Sequence, residues 1–183
     1  MKLSELMKGI TPNPDYTGVD IADNTVVAIN PEKQGTKTFD EFIVFRQAVT
    51  EISPTFESQT TETTYYGTGT NVTKTGTNFS ISVTGDRYMG DEAQDLIFDL
   101  DNIQAIGADA IYELVCFNIN TGKGYAGTFT AAQEQNSGGS AGENAPATVT
   151  FNKIAMNPVK FDYVDDKGKT FDELITPVST FKE

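Results

Sequence analysis

The chain has 183 residues, with 26 acidic and 13 basic side chains, and its formal charge is −13. It contains no histidine, no tryptophan and one cysteine, Cys116. Nucleophilic triads need an imidazole, and Cys/His zinc sites need more ligands than one cysteine. The composition excludes both, together with an intramolecular disulfide. The sequence contains no run of about 18 apolar residues, so we predict no membrane anchor. The first ten residues predict a mature cytoplasmic N-terminus without a signal peptide.

Residues 1–40 contain three prolines, several Asx turn formers and only short apolar pieces such as residues 26–29. Proline removes a backbone donor and favours extended conformations in the residue before it. This segment therefore predicts an extended N-terminal arm that a partner surface orders better than its own core can.

Residues 41–52 read EFIVFRQAVTEI and predict a long strand, because β-branched and aromatic residues dominate. Residues 55–78 are rich in threonine and glycine, and the pair Tyr65-Tyr66 is their only bulky element. This composition favours a long exposed loop or a protruding hairpin. The alternation that follows, with Phe79, Ile81 and Val83 separated by polar residues, predicts a half-buried strand.

One amphipathic helix is predicted over residues 90–106. Its apolar positions follow the i, i+3, i+4, i+7 pattern of a helix face, and they are Ala93, Leu96, Ile97, Leu100 and Ile103. Carboxylates in its first turn suit the helix dipole, and Gly107 is a plausible stop.

The C-terminal half predicts further strands. Residues 111–118 and 125–133 flank a turn and form a hairpin, residues 134–145 form a loop, and residues 148–164 form a long strand bent near Pro158. Residues 165–183 predict a turn and a C-terminal arm. The whole pattern indicates a mainly β, α+β fold: a sandwich or barrel of two antiparallel sheets over residues 41–164, flanked by one α-helix.

Three motifs for ligand chemistry fail on inspection. Residues 67–75 lack the glycines that a phosphate loop places before its lysine and five residues earlier. The pair Asp99 and Asp101 begins a calcium loop, but Ile103 occupies the next ligand position. The S-x-x-K spacing of Ser179 and Lys182 lies at the extreme C-terminus. We predict no catalytic residue, no metal site and no cofactor.

Eight acids lie between residues 86 and 113 against one base, Arg87, and six of them form a predicted acidic surface around the helix: Asp86, Asp91, Glu92, Asp95, Asp99 and Asp101. A solvated helix face explains this pattern most simply. The alternatives are a negative wall that faces a polyanion and a docking surface for a basic partner.

Two residues within the strand 111–118 need separate mention. Glu113 is the best single candidate for a catalytic carboxylate, but the alternation of the strand predicts that it simply points outward. Cys116 lies among apolar residues and is predicted to be a small core hydrophobe.

The order of these elements resembles the major tail tube proteins of long-tailed phages and of phage-tail-like particles. The resemblance covers roughly residues 41–163 and is carried by the long strand ending in TEISPTFESQTTETTYYGTGT, the strand FSISVTGDRY, the helix after MGDEAQ and the strand YELVCFNIN. The segment GDRYMGDEAQDLIF contributes most.

The resemblance implies that six copies close into a ring, that one sheet of each copy joins a continuous β-barrel, and that rings stack into a hollow tube. The loop after the first long strand would reach the next ring. By position, its contact residues would be Thr55, Tyr65, Tyr66, Gly67, Gly69, Val72 and Gly76.

The leading hypothesis is therefore a non-enzymatic virion protein of the phage tail, assembled in the host cytoplasm, whose main partner is itself. Tape measure, tail terminator and baseplate proteins are further expected partners, and DNA would pass without specific binding because the net charge is negative. Two alternatives remain open at this point: another virion component, such as a tail terminator or capsid decoration protein, and a soluble β-sandwich module that binds carbohydrate or a cell surface.

Overall fold

The structure, a computed structural model, describes residues 1–136, 138–154 and 157–176. Its eight strands are β1 Thr25–Ile29, β2 Ile43–Val44, β3 Val49–Tyr65, β4 Gly69–Asp86, β5 Ile111–Asn118, β6 Lys123–Asn136, β7 Pro146–Lys153 and β8 Val159–Asp162. Every pairing in the described residues is antiparallel, in the order β2-β1-β5-β6-β7-β4-β3, with β8 on β6. The predicted mainly β fold is confirmed, although hydrogen bonds join these strands into one sheet.

Strand β6 makes the single sheet possible because it is long enough to pair with three strands. One edge carries β5, while the other edge carries β8 at residues 123–126 and β7 at residues 129–136. Strands β7 and β8 therefore follow one another along β6. The predicted long strand 148–164 is interrupted just before Pro158, whose ring removes a backbone donor.

The N-terminal segment differs from the predicted extended arm. Strand β1 lies between β2 and β5, and its residues 26–29 are buried. A short helix, α1 at Leu3–Leu6, buries Leu3, and a 3₁₀ turn at Phe39–Glu41 buries Phe39. The short apolar pieces of this segment are thus part of the core, because both faces of β1 find apolar neighbours in the same chain.

The prediction of one continuous strand over residues 41–52 is also wrong. It is broken between β2 and β3, where Ala48 adopts a positive φ of 55°. At this break the backbone of Ala48 packs closely against Gly85 of β4. A Cβ atom at Gly85 would lie 2.2 Å from the Ala48 carbonyl oxygen. Only glycine allows this close approach, and the break redirects β3 onto β4.

The predicted helix over residues 90–106 is replaced by two short helices, α2 at Glu92–Ile97 and α3 at Leu100–Ile103. Asp91 caps α2 by accepting the backbone N–H groups of Ala93 and Gln94. Asp99 caps α3 by accepting the N–H of Asp101. An aspartate that caps a second helix competes with continuation of the first. The predicted apolar face is correct only for α2, where Ala93 and Ile97 are buried, because Leu100 and Ile103 on α3 are exposed.

Two further helices, α4 at Tyr163–Asp166 and α5 at Phe171–Ile175, follow β8. The beginning of the predicted C-terminal arm is thus folded, with Phe171 buried. The S-x-x-K spacing at Ser179 and Lys182 lies outside the described residues.

The buried apolar side chains form two clusters on opposite sides of the sheet. The inner cluster consists of Val27, Ile29, Ile43, Phe45, Phe79, Ile81, Val83, Ala93, Ile97, Phe98, Tyr112, Leu114, Cys116, Phe129, Ala147, Val149 and Phe151. The cover cluster consists of Leu3, Met7, Val26, Ala28, Phe39, Phe42, Val44, Val115, Phe117, Ala126, Phe161, Tyr163 and Phe171. Strands β1 and β5 contribute to both clusters and are therefore buried on both faces.

Candidate functional site

The outward side of β3, β4, β7 and the end of β6 is a bare polar surface, which we call the hydroxyl face. It consists of Glu51, Ser53 and Thr55 on β3, Ser80, Ser82 and Thr84 on β4, Thr148, Thr150 and Asn152 on β7, and Thr130, Ala132 and Glu134 on β6. These residues alternate with the inner cluster along each strand. Two of them are glutamates, and none is lysine or arginine.

Hydrogen bonds within a strand and between neighbouring strands occupy several of these side chains. The hydroxyl of Thr150 donates to a carboxylate oxygen of Glu134 at 2.8 Å, and the hydroxyl of Ser53 donates to Glu51. The hydroxyl of Thr130 donates to the carbonyl oxygen of Asn152 at 3.4 Å. The face consequently presents carboxylates and hydroxyls that already have protein partners, with no cation to attract an anion.

The same side of the sheet is covered over β1 and β5, where the cover cluster packs under α1, α4 and α5. Glu113 lies on this covered side and is only 6% exposed, which contradicts the prediction that it points to solvent. Its carboxylate accepts a hydrogen bond from the side-chain amide of Asn30 at 2.7 Å. Burial raises the pKa of Glu113, and that hydrogen bond opposes part of the rise.

The sequence contained a signal for this error. Val115 and Phe117 share the face of Glu113 on β5, and both are apolar. A strand that is apolar on both faces is typical of a strand covered on both sides. Cys116, on the other face, is 2% exposed and belongs to the inner cluster, so that prediction is confirmed.

A long two-stranded ribbon extends from the hydroxyl face. Strand β7 pairs with β4 only as far as Ser80, so residues 57–78, which we call the ribbon, have no third strand among the residues that the structure describes. Ten residues of β3 separate Thr55 from Tyr65, which corresponds to about 33 Å at ~3.3 Å per residue. Of the two forms that the composition allowed, a loop or a hairpin, the structure has the hairpin, with a bulge between Gln59 and Thr60.

The predicted contact residues occupy distinct parts of this ribbon. Thr55 lies at its base on the hydroxyl face, Val72 lies opposite Glu62, and Gly76 lies opposite Gln59 at the bulge. Tyr65, Tyr66, Gly67 and Gly69 form the tip, where both glycines have φ values near +85°.

The tip suits intermolecular contact by its exposure. Tyr66 is fully exposed, and Tyr65 is 56% exposed. Neither ring stacks on another aromatic ring of the described chain. Whether these residues contact another copy stays a prediction.

The predicted acidic surface is divided by local interactions. Asp91 and Asp99 cap α2 and α3, and Asp91 is almost fully buried. Asp95 pairs with Arg87, and Asp86 accepts a hydrogen bond from the Asn144 side chain at 2.7 Å.

In a continuous helix Asp91, Asp95 and Asp99 would lie four residues apart along one face, and the break between α2 and α3 ends that alignment. Glu92 pairs with the Met1 amino group, while Asp101 is exposed. Most of these acids therefore have structural partners within the chain. The hydroxyl face, which no sequence motif marked, is a second polar surface, with two carboxylates and no basic residue.

Two other kinds of site were considered. No group of three or more Cys, Asp or Glu side chains within residues 1–136, 138–154 and 157–176 is arranged to hold a metal ion. In the same part of the chain, none of the helices has the length and apolar character that a bilayer crossing requires.

Comparison with known proteins gives structural matches only. No protein-family model matches the sequence, and no curated protein matches it. A chain from the tail of an empty gene transfer agent particle, refined with C6 helical symmetry, superposes with a TM-score of 0.54 at 15% identity, over 75% of this chain and 96% of the other. A chain from the virion of a native gene transfer agent particle superposes with a TM-score of 0.52 at 13% identity, over 77% and 99%. The predicted resemblance to proteins of phage-tail-like particles is thus confirmed at the level of fold.

Proposed function

We propose that this protein is a structural subunit of a phage-like tail, which assembles with copies of itself into stacked rings that form a hollow tube. The observation that carries the proposal is the ribbon on a fold shared with a gene transfer agent tail. A six-membered ring follows the C6 symmetry of that tail. The role is non-enzymatic and needs no cofactor.

The ribbon supports assembly because a two-stranded hairpin is marginally stable in water without a further packing surface. Residues 57–78 find no third strand within the described chain, and most of them are exposed. A neighbouring ring supplies the missing surface. The predicted contact residues at the tip, led by Tyr65 and Tyr66, then become buried between subunits.

The free edge of β3 supports ring closure. Among the described residues, β3 pairs with β4 alone, so the other edge of this 17-residue strand leaves backbone donors and acceptors without a strand partner. Such an edge invites pairing with another chain. The opposite end of the sheet is shorter and protected, since the Met1 carbonyl accepts the N–H of Val44 and the Leu3 N–H donates to Phe42. Joining of β3 to the next subunit extends the sheet around the tube.

The hydroxyl face is our candidate for the inner wall. Nucleic acids bind proteins largely through Lys and Arg contacts that release counterions, and the hydroxyl face has neither residue. Its glutamates repel phosphates at distances within the Debye length of about 8 Å. DNA would pass such a wall without stable binding. The subunit would then be a virion component assembled in the host cytoplasm, with tape measure, terminator and baseplate proteins as further partners.

Negative-stain microscopy of the purified protein over a range of concentrations tests assembly. We expect rings and tubes with a central channel. Rings that never extend would favour the tail terminator alternative, and monomers that persist at the highest concentrations would contradict the proposal.

A truncated ribbon tests the stacking role. Residues 60–75 are replaced by Asn-Gly, a pair suited to a tight hairpin turn between Gln59 and Gly76. The variant should keep the midpoint of thermal unfolding of the wild type, because both apolar clusters remain intact. It should form no tubes. Tubes of normal length would contradict the stacking role.

A pair of lysine substitutions tests the inner wall. Ser82→Lys places a cation on the hydroxyl face, whereas Leu100→Lys places the same charge on α3, where Leu100 is 64% exposed. Tubes of the first variant should retain a fluorescent DNA duplex on sedimentation, and tubes of the second should not. Equal retention by both variants would contradict the assignment of the inner wall.

A further inference from the structure

An aromatic groove lies at the base of the ribbon, on the side that faces away from the hydroxyl face. Phe56 stacks on Phe79 with ring centroids 4.3 Å apart, and Tyr125 meets Phe79 edge-on at 4.6 Å. Phe56 nevertheless remains 61% exposed. A large aromatic ring held by two others and still open to water is an incomplete cluster with room for another apolar group.

Residues from two parts of the chain, most of them polar, form the rim of this groove. Ser58, Lys74 and Thr77 belong to the ribbon, and Asn157 and Pro158 belong to the connection before β8. The side chain of Lys153 joins the two walls, because its ammonium donates to the Thr77 carbonyl and to the Asn157 side chain. This bridge holds the groove open in the isolated subunit.

The charge of the groove differs from that of the molecule. Lys74 lines it, Lys153 braces it, and Lys160 lies opposite Tyr125 in the pairing of β6 with β8. None of the described residues that line the groove is an acid, although acids outnumber bases two to one in the chain. The chemistry favours an occupant with aromatic rings and a negative charge.

The distal part of the ribbon has this composition. Residues 60–73 include the exposed Tyr65 and Tyr66, and Glu62 is their only charged residue. Glu62 forms no ion pair among the described residues of its own chain. The tip and the groove lie at opposite ends of a ribbon about 30 Å long, at ~3.3 Å per residue, so one subunit cannot join its own two ends.

We propose that the aromatic groove of one copy receives the tyrosine tip of a second copy, with Glu62 of the second copy near Lys74. This inference rests on the proposed function, in which copies stack, and it names the receiving surface for the tip. The tip and the groove are two different surfaces of the same chain, so each copy keeps one of them free after binding a neighbour. When every copy is displaced from the last in the same direction, the assembly does not close into a finite ring. It therefore extends without limit, as a tube requires.

Engineered cysteines test this pairing directly. The natural Cys116 is buried and accepts a hydrogen bond from the Tyr125 hydroxyl at 3.2 Å, and burial raises its pKa to about 11, so it gives little background. The test variant is Tyr66→Cys with Ser58→Cys in the groove. The control is Tyr66→Cys with Thr55→Cys, three residues away on the hydroxyl face.

Mild oxidation under assembly conditions should convert the test variant into a ladder of dimers, trimers and higher species on a non-reducing gel. The control pair should give at least tenfold less product. A ladder from the control pair, or equal ladders from both pairs, would overturn the proposal. Dimers from Tyr66→Cys alone would show tip-to-tip contact and would overturn it as well.

A second measurement separates this inference from the proposed function. Phe56→Ser should raise the critical concentration for tube growth about tenfold or more, as loss of a central aromatic contact does, whereas Tyr16→Ser removes a partly exposed ring elsewhere and should leave it unchanged. If wild-type tubes form but neither the ladder nor the Phe56 effect is found, the groove assignment fails and the tube function stands. If the ladder forms but tubes are absent, the tube function fails and the contact stands.

Discussion

The two halves of one sheet face differ more than any other regions of this molecule. Over β1 and β5 the outward side chains are apolar apart from Glu113 and lie beneath α1, α4 and α5. Over β7, β4 and β3 the corresponding side chains are Ser, Thr, Asn and Glu, and no segment of the described chain covers them. The difference shows that the terminal segments stabilise the subunit on one half and leave the other half available to the assembly.

The largest expected loss of stability comes from a substitution in the covered half. Phe117→Ala removes a ring of β5 that stacks parallel on Tyr163 and meets Phe161 edge-on. Because the cavity cannot collapse between a sheet and packed helices, we expect a loss of about 3–5 kcal/mol in the free energy of unfolding. Ser82→Ala on the hydroxyl face is the matched control and should change it by less than about 0.5 kcal/mol. Urea denaturation measures both, and similar losses would refute the distinction.

A smaller effect concerns Glu113, a buried acid of β5 on the covered half. Glu113→Ala leaves the buried amide of Asn30 without its acceptor and should cost about 1–3 kcal/mol. Glu113→Gln keeps an acceptor and removes the charge. Because the folded state raises the pKa of Glu113, it binds the proton more tightly than the unfolded state, and wild-type stability falls as pH rises above the ordinary value of 4.5.

The stability difference between Glu113→Gln and the wild type should therefore shift in favour of the glutamine variant between pH 4 and pH 7. Denaturation curves at the two pH values measure this shift. A shift in the opposite direction would mean that the hydrogen bond from Asn30, and not burial, dominates the environment of the carboxylate.

The smallest expected effect concerns the hydroxyl face. Thr150→Ala removes the hydrogen bond to Glu134 in a partly exposed position, so the cost should be about 1 kcal/mol or less. Thermal unfolding of the purified subunit would show a correspondingly small change in midpoint. A loss as large as that of Phe117→Ala would indicate that the hydroxyl face is not independent of the covered half.

Much of the fold could be predicted because side-chain alternation is a local signal. The period-2 pattern of Phe79, Ile81 and Val83 indicated which face of β4 is buried, and the apolar setting of Cys116 indicated its place in the core. The hairpin of residues 111–133 also followed from local turn chemistry, whereas the predicted long strand 148–164, bent near Pro158, is in fact two strands.

What failed depended on distant parts of the chain. The core position of β1 depends on β5, about 90 residues later, and the burial of Glu113 depends on Asn30. The break at Ala48 requires Gly85 on a strand that crosses it. The aromatic groove brings Phe56 and Tyr125 together from different strands, so no contiguous motif marks it. The spacing of residues along the sequence does not show which distant segments lie next to each other in the fold.

The shared strands have a thermodynamic consequence. Strands β1 and β5 contribute side chains to both clusters, and β6 links the strands of both halves of the sheet. Unfolding of either cluster therefore removes strands that the other cluster needs for its packing. The body of the subunit should therefore unfold in one cooperative transition, with equal calorimetric and van't Hoff enthalpies. Amide hydrogens of the ribbon lie outside this cooperative unit and should exchange with solvent many times faster than those of β5 in the free subunit.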